Sequence, residues 1–190
     1  MAEQFDQLKD NHIDFIQQQK LFFVGTADVD GFVNVSPKGM DCFRVVHSTC
    51  VRWLNLTGSG NESAAHILAC NRMTMMFCSF DKLPLILRLY GRAMVCHHGD
   101  DSWNEQIAEF PNYINARQLF TVELQMIQTS CGFAVPYYEF NGERPTLQNW
   151  AEKRGDDGIK QYWQEKNTQS LNGKPTGMPP PTQPQGTNHA

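Results

Sequence analysis

Eight short β-rich segments separated by turn signals occupy most of the chain between residues 21 and 138, and this pattern constrains the fold most strongly. A parallel sheet needs a long crossover, normally a helix, between paired strands, and the chain has too few helical segments. The sequence therefore predicts a mainly β protein, an antiparallel barrel with a few short helices. The predicted strands are Leu21–Ala27, Phe32–Ser36, Cys42–Val46, Val51–Thr57, Met73–Phe80, Leu85–Cys96, Leu119–Met126 and Gly132–Tyr138.

Three short helices are predicted among these strands. The first covers residues 6–20, where apolar side chains recur at helical spacing. Ser59 and Glu62 have the spacing of a capping box, which predicts a second helix that runs to about residue 70. Ser102 and Glu105 repeat this spacing before a third helix, which Pro111 ends.

The character of the chain changes after residue 140. We expect a barrel domain over residues 1–140 and a helical extension over 141–171, with a break near residues 155–158 where two glycines occur. Residues 172–190 are polar and rich in proline. This composition predicts a tail that is disordered or wraps loosely over a partner subunit.

Charge and hydropathy exclude several functional classes. Sixteen basic and twenty acidic residues give a net charge of −4, which argues against nucleic-acid binding. No apolar run approaches the ~20 residues of a membrane helix, and the amino terminus lacks an apolar signal core. Six cysteines without a C-x-x-C pair are typical of reduced, buried thiols. We therefore expect a cytoplasmic protein that binds no membrane and no metal.

One predicted strand carries a polar stripe. Alternation along residues 32–39 places Asn34, Ser36 and Lys38 on one side of the strand, and Pro37 removes a ladder donor. Such a stripe suits a phosphate or the polar edge of a ring. A solvent-facing strand end is the alternative, and this segment alone favours it.

A glycine-rich turn precedes the second helix. Exposed amides at a helix start form an anion site, to which Ser59, Asn61 and Ser63 could add hydrogen bonds. Ser59 could also cap its own helix, and the two roles are compatible. The segment is not a dinucleotide fingerprint, because Ser63 replaces the third glycine and the βαβ context is missing.

Two arginines, Arg88 and Arg92, lie four residues apart on one face of the longest predicted strand. They could clamp a phosphate or a flavin edge with paired N–H donors. They could equally lie on an exposed face and pair with acidic residues.

The order of these segments resembles the pyridoxamine 5′-phosphate oxidase-like family. The resemblance rests on the V-G-T-A-D-x-D-G turn, V-N-V-S-P-K-G and W-L-N-L-T-G-S-G-N-E-S-A-A-H, and covers about residues 14–138. It implies a split β-barrel that binds flavin mononucleotide (FMN) at a homodimer interface. It also implies that Val35, Ser36, Pro37 and Lys38 line the flavin ring and ribityl chain, that Asn55 and Thr57 lie beside them, and that Gly58, Ser59, Asn61 and Ser63 approach the phosphate.

The chain departs from the family at the phosphate. Enzymes that oxidise pyridoxamine phosphate carry R-x-x-x-L-K and a basic pair ahead of the second helix, whereas this chain has Glu62 there. Lys38, Arg88 or Arg92 must then supply the positive charge, or backbone amides hold the phosphate. The departure weakens the case for vitamin B6 chemistry more than the case for flavin binding.

The resulting hypothesis is an FMN-dependent oxidoreductase that transfers a hydride to or from a small substrate that the sequence does not identify. No catalytic acid or base is identifiable. The first alternative is a flavin-binding or stress-related protein without turnover. The second is a barrel that binds haem or a deazaflavin, for which His47 and His66 are the central candidates for an axial ligand.

Overall fold

The computed structural model describes residues 2–179, which form an antiparallel sheet with four helices. The mainly β class predicted from the sequence is confirmed. The strands are β1 (Glu3–Phe5), β2 (Phe22–Thr26), β3 (Asn34–Lys38), β4 (Phe43–His47), β5 (Cys50–Leu56), β6 (Arg72–Cys78), β7 (Leu85–His97) and β8 (Ala116–Cys131). The helices are α1 (Asp10–Gln18), α2 (Glu62–Ala69), α3 (Trp103–Ile107) and α4 (Thr146–Lys166).

The long strand β8 organises the sheet, whose order is β3-β2-β6-β7-β8-β5-β4. β7 pairs with one edge of β8 over nearly its whole length, while β5 pairs with the first half of the other edge and β1 with the second half. A bulge interrupts the β7–β8 pairing beside Gly91. A Cβ at Gly91 would lie 2.3 Å from the carbonyl oxygen of Glu123, so this close approach requires glycine.

The core lies between the curved faces of the sheet and is built from alternating side chains of the strands. Trp53 stacks on Phe120 with 4.9 Å between ring centroids, and both rings are buried. Phe22, Phe43 and Phe77 form a second aromatic cluster. The alternation that predicts these strands is therefore the pattern that fills the barrel.

The strand predicted at Gly132–Tyr138 is wrong. Those residues are irregular, and Phe133 and Tyr137 are exposed. Cys131 pairs with Leu85, the first residue of β7, so no β7 residue remains opposite the following segment. The strand predicted at Leu119–Met126 is instead part of the longer β8.

The two predicted capping boxes do not form. Asn61 is the N-cap residue of α2, and the Glu62 carboxylate accepts a hydrogen bond from the backbone N–H of Leu171. Ser102 precedes α3, but its hydroxyl accepts a bond from the side chain of Gln106. At α2, a tertiary partner of Glu62 thus replaces the expected capping box. At α3, a side-chain bond within the short helix replaces it.

The extension after the barrel packs on the rest of the protein. Its helix α4 is broken at Gly155, where φ is 68°, as the two glycines predict. Residues 172–179, which composition predicts to be disordered or loosely wrapped, lie against the same chain: Lys174 pairs with Asp28 and Asp30, and Thr176 is buried. The rest of the predicted tail, residues 180–190, lies outside the described residues.

Within residues 2–179, no helix is both long and apolar enough to cross a membrane. The six cysteines are unpaired. Four of them are buried, whereas Cys70 is half-buried and Cys131 is exposed.

Candidate functional site

Two strands, the loop before α2 and the start of β8 enclose a polar cavity of about 300 Å³. Seven of the twelve residues predicted to bind a cofactor line it. Their convergence from separate strands puts the two polar segments noted in the sequence into one site. The lining residues are Asn34, Ser36, Lys38, Trp53, Asn55, Leu56, Gly58, Ser59, Gly60, Asn61, Glu62, Ser63 and Arg117.

The first wall of the cavity is β3. Ser36 and Lys38 point into the cavity and are half-buried, as alternation along the strand predicts. Val35 and Pro37 lie on the opposite, exposed face, and Val35 is 65% exposed. Their side chains therefore do not line this cavity, although the sequence resemblance implies that they lie beside a flavin ring.

The ammonium group of Lys38 lies 5.0 Å from the ring centroid of Trp53, in a cation–π contact on the cavity wall. Burial and the nearby positive charge of Arg117 lower the pKa of Lys38 to about 8. Lys38 is thus mostly charged at neutral pH, in surroundings that oppose its charge.

The second cation of the cavity is Arg117, at the start of β8. Its side chain is 2% exposed, and its Nη1 donates a 3.0 Å hydrogen bond to the carbonyl oxygen of Gly60. Its Nε has no hydrogen-bond partner within the described residues. Burial lowers the pKa of this guanidinium, which nevertheless stays charged at neutral pH.

Sequence reasoning missed Arg117. The predicted strand begins at Leu119, three residues after the true start of β8, and nothing nearby in the sequence connects Arg117 with the glycine-rich turn. The contact between Arg117 and Gly60 spans 57 residues. The only sequence signal for Arg117 is its position as a single cation just before an apolar strand. That signal is weak, because Lys38 is already a candidate for the positive charge at the cofactor.

The loop before α2 has a second side, which faces the extension. Thr57 accepts a 2.7 Å hydrogen bond from Nε1 of Trp163, and the carbonyl oxygen of Gly58 accepts a 3.1 Å bond from the side chain of Asn167. The side-chain nitrogen Nδ2 of Asn61 donates a 3.0 Å hydrogen bond to the backbone oxygen of Asn167. These bonds join the extension to the loop, and Thr57 does not line the polar cavity.

Asn61 and Ser63 are predicted phosphate ligands whose side chains already have protein partners. The oxygen of Asn61 accepts a 2.7 Å bond from Gln118, and Asn61 is 2% exposed. The Ser63 hydroxyl lies 3.3 Å from both Thr26 and Asn34. Ser59 remains as the exposed hydroxyl of the loop.

Arg88 and Arg92 lie outside the cavity. Arg88 donates to the hydroxyl of Ser130 at 2.9 Å, and Arg92 donates to the side-chain oxygen of Asn71 at 2.8 Å. Neither residue lines the cavity together with Lys38. The two candidates for a haem ligand also lie elsewhere: His47 is exposed at the end of β4, and buried His66 contacts the Thr26 hydroxyl.

A larger cavity of about 620 Å³ lies between the barrel and the extension, and Gly58 and Ser59 line both cavities. Its walls include Met40, Trp150 and Tyr162. Unlike the polar cavity, this space contains no charged side chain that is fully buried.

Sequence comparison connects the chain with a known family. The model of the family described as pyridoxamine 5′-phosphate oxidase matches residues 8–131. The pyridoxamine 5′-phosphate oxidase family protein ustO of Aspergillus flavus is 32% identical over 191 aligned residues, which cover 90% of this chain and 76% of the fungal protein. The matched segment contains every residue that lines the polar cavity.

Solved structures share the fold at lower sequence identity. A Lactobacillus delbrueckii protein named after pyridoxamine 5′-phosphate oxidase is 18% identical with a TM-score of 0.52, covering 65% of this chain and 94% of its own. HupZ of Group A Streptococcus is 17% identical with a TM-score of 0.50, covering 63% and 91%. These similarities support the split barrel.

Proposed function

The chain belongs to the pyridoxamine 5′-phosphate oxidase family, and from this membership and the charges of the polar cavity we propose that it binds FMN and acts as an oxidoreductase. The observation that carries the proposal is the pair of cations in one cavity. Within residues 2–179, neither Lys38 nor Arg117 forms an ion pair. Unpaired charges in a buried position are costly, so this cavity favours an anionic ligand.

The residues of the cavity fit a phosphate ester. Lys38 and Arg117 supply positive charge, and the Nε of Arg117, which is buried without a partner within the described residues, is a donor that a bound anion would satisfy. Gly58 and Gly60 have no side chains, so an anion can approach the backbone at these two positions of the loop. Arg117 thereby replaces the basic pair that the family carries ahead of the second helix.

The remaining polar side chains would orient the rest of the cofactor. Ser36 and Asn55 lie on the walls formed by β3 and β5, where they can bond the ribityl chain or the ring edge. Bound FMN would supply hydride or electron transfer, and the protein residues would set its orientation and exclude water. No side chain of the cavity is assigned as a general acid or base.

A homodimer would complete the site. β3 ends the paired sequence of strands in the sheet, and Phe32, Val33 and Val35 on or beside it are 65–71% exposed. An apolar edge of this kind is typical of an interface, and it adjoins the wall that carries Ser36 and Lys38. We propose that a second copy covers this edge and closes the cavity over the flavin.

The substrate would be a small molecule other than pyridoxamine phosphate. Its binding site would include the larger cavity beside the 58–59 turn, where Trp150 and Tyr162 offer an aromatic wall. The extension would therefore take part in substrate selection. It lies outside residues 8–131, the part of the chain that the family model matches.

The test is an absorbance spectrum of the purified protein before and after addition of FMN and then NADPH. We expect protein-bound flavin bands that bleach with NADPH. Bound flavin that no nicotinamide cofactor reduces would favour the non-catalytic flavin-binding protein instead. A protein that ignores FMN would contradict the whole proposal, and a Soret band would identify haem.

A further inference from the structure

A row of three potential metal ligands crosses the sheet at the end of β5 remote from the polar cavity. His47 on β4 lies opposite Cys50 on β5, and Cys50 lies opposite Glu123 on β8. Directly paired residues of antiparallel strands place their side chains on the same face of the sheet. One nitrogen, one sulfur and one carboxylate oxygen of the row therefore lie within 4.8 Å of one another.

We propose that His47, Cys50 and Glu123 bind a divalent transition metal, with Zn²⁺ as the best match. Imidazole, thiolate and carboxylate are the three ligand types that Zn²⁺ takes in proteins, at about 2.0–2.3 Å. Three protein ligands leave the fourth tetrahedral position for water. The two outer side chains are exposed and can turn inward to close the remaining distance.

The described surroundings place no competing cation on the row. Within residues 2–179, Glu123 forms no ion pair, although Arg92 lies opposite it on β7 and bonds Asn71 instead. The nearest cation on β5, Arg52, is neutralised by its ion pair with Glu109. The Glu123 carboxylate therefore has no basic side chain as an ion-pair partner within the described residues.

Thr49 orients the imidazole of the row. Its hydroxyl lies 3.2 Å from Nδ1 of His47, and its backbone N–H donates a 3.4 Å hydrogen bond to the same nitrogen. Both contacts hold the ring at Nδ1, and hydroxyl or carbonyl partners commonly orient metal-binding histidines in this way.

A nucleophilic Cys–His–Glu triad does not fit the same residues. Cys50 is 3% exposed, so a substrate carbonyl cannot approach its sulfur. A metal ion can reach the sulfur from the solvent side, where His47 and Glu123 are exposed. The row suits ligation better than nucleophilic attack.

The proposed metal is independent of the flavin site. Leu56 at the cavity lies six positions after Cys50 on β5, about 20 Å at the usual rise of a strand. A metal at the row would instead cross-link β4, β5 and β8, and bound ligands stabilise the folded state.

The test is a Co²⁺ titration of the reduced full chain after chelator treatment, followed by absorbance. We expect a saturable thiolate-to-cobalt charge-transfer band, displaced by Zn²⁺, and a thermal midpoint that rises with Zn²⁺. Cys50→Ser should abolish the band. His47→Gln and Glu123→Gln, at exposed positions, should weaken binding by more than about tenfold, since even residues that only orient ligands change affinity about 10- to 100-fold.

Cys131→Ser is the matched control, because it removes an exposed thiol that lies outside the row. It should leave the band and the Zn²⁺-induced rise unchanged. Absence of the band in the unaltered chain would overturn the proposal. So would a band that survives Cys50→Ser, or an affinity that His47→Gln and Glu123→Gln both leave intact.

Discussion

The loop at residues 57–62 has polar residues on both of its sides, but the two sides have different functions. The side facing the polar cavity offers Ser59, two glycines and the contact with Arg117. The side facing the extension uses Thr57 and Asn61 in buried hydrogen bonds to Trp163 and Asn167, although Asn61 also lines the polar cavity. The comparison shows that a polar residue in a phosphate-type loop can stabilise the fold instead of binding a ligand. Only its hydrogen-bond partners distinguish these two roles.

The largest effect should come from Arg117→Gln, on the cavity side. We expect FMN affinity to fall about 10- to 100-fold, because a hydrogen bond to a charged group contributes about 1.5–3 kcal/mol. Flavin fluorescence titration measures it. Arg92→Gln is the control, since Arg92 bonds Asn71 away from the cavity. Equal losses in both variants would refute the assignment of Arg117.

Asn61→Ala should mainly reduce stability. It leaves the side-chain amide of Gln118 without its buried acceptor and removes one of two hydrogen bonds to the backbone oxygen of Asn167, which keeps its bond from Thr176, at a cost of about 1–3 kcal/mol in the free energy of unfolding. Urea denaturation measures the change. Ser59→Ala, on the exposed cavity side, should stay within about 0.5 kcal/mol. If Asn61→Ala lowers only FMN affinity, Asn61 belongs to the cavity side.

FMN affinity should fall as pH rises through about 8, where burial and Arg117 place the pKa of Lys38. The phosphate is already a dianion there, so the pH dependence reports loss of the lysine charge. We expect up to about a tenfold decrease between about pH 7 and pH 9, the contribution of one charge-assisted hydrogen bond. Lys38→Arg should flatten this profile in the same titration; a flat profile in the unaltered protein would exclude Lys38 as a phosphate ligand.

The smallest effect should come from Trp163→Phe, which keeps an aromatic ring but removes the donor to Thr57. We expect a loss of about 1 kcal/mol, or about 2–4 °C in the thermal midpoint. Trp150→Phe is the control, because the Trp150 indole has no hydrogen-bond partner within the described residues and packs on Tyr162. A larger decrease for Trp150→Phe would mean that packing, rather than the bond to Thr57, joins the extension to the barrel.

The sequence predicted the strands well where turn residues and alternation agree. β2, β5, β6 and β7 begin and end within two residues of the predicted bounds. It failed around β8, because a bulge and a polar stretch disturb the alternation that marks a strand. β1 is too short for periodicity, and its pairing with β8 supplies its structure.

The candidate site was predictable only in its local parts. The stripe of β3 and the glycine-rich turn can be read from neighbouring residues, and the structure brings them together. Arg117 and the partners of Thr57 and Asn61 are contacts across 57 to 106 residues. Periodicity and spacing contain no information on such contacts, so the sequence points to Arg88 and Arg92 and not to Arg117.

The hydrogen bonds between the loop and the extension also determine when the loop can be completed during synthesis. Its partners at Trp163, Asn167 and Leu171 leave the ribosome more than 100 residues after the loop itself. All eight strands are already translated by then. Contacts between residues so far apart in sequence form late. In the nascent barrel, the loop therefore lacks its hydrogen bonds to the extension until α4 and the residues after it have been synthesised.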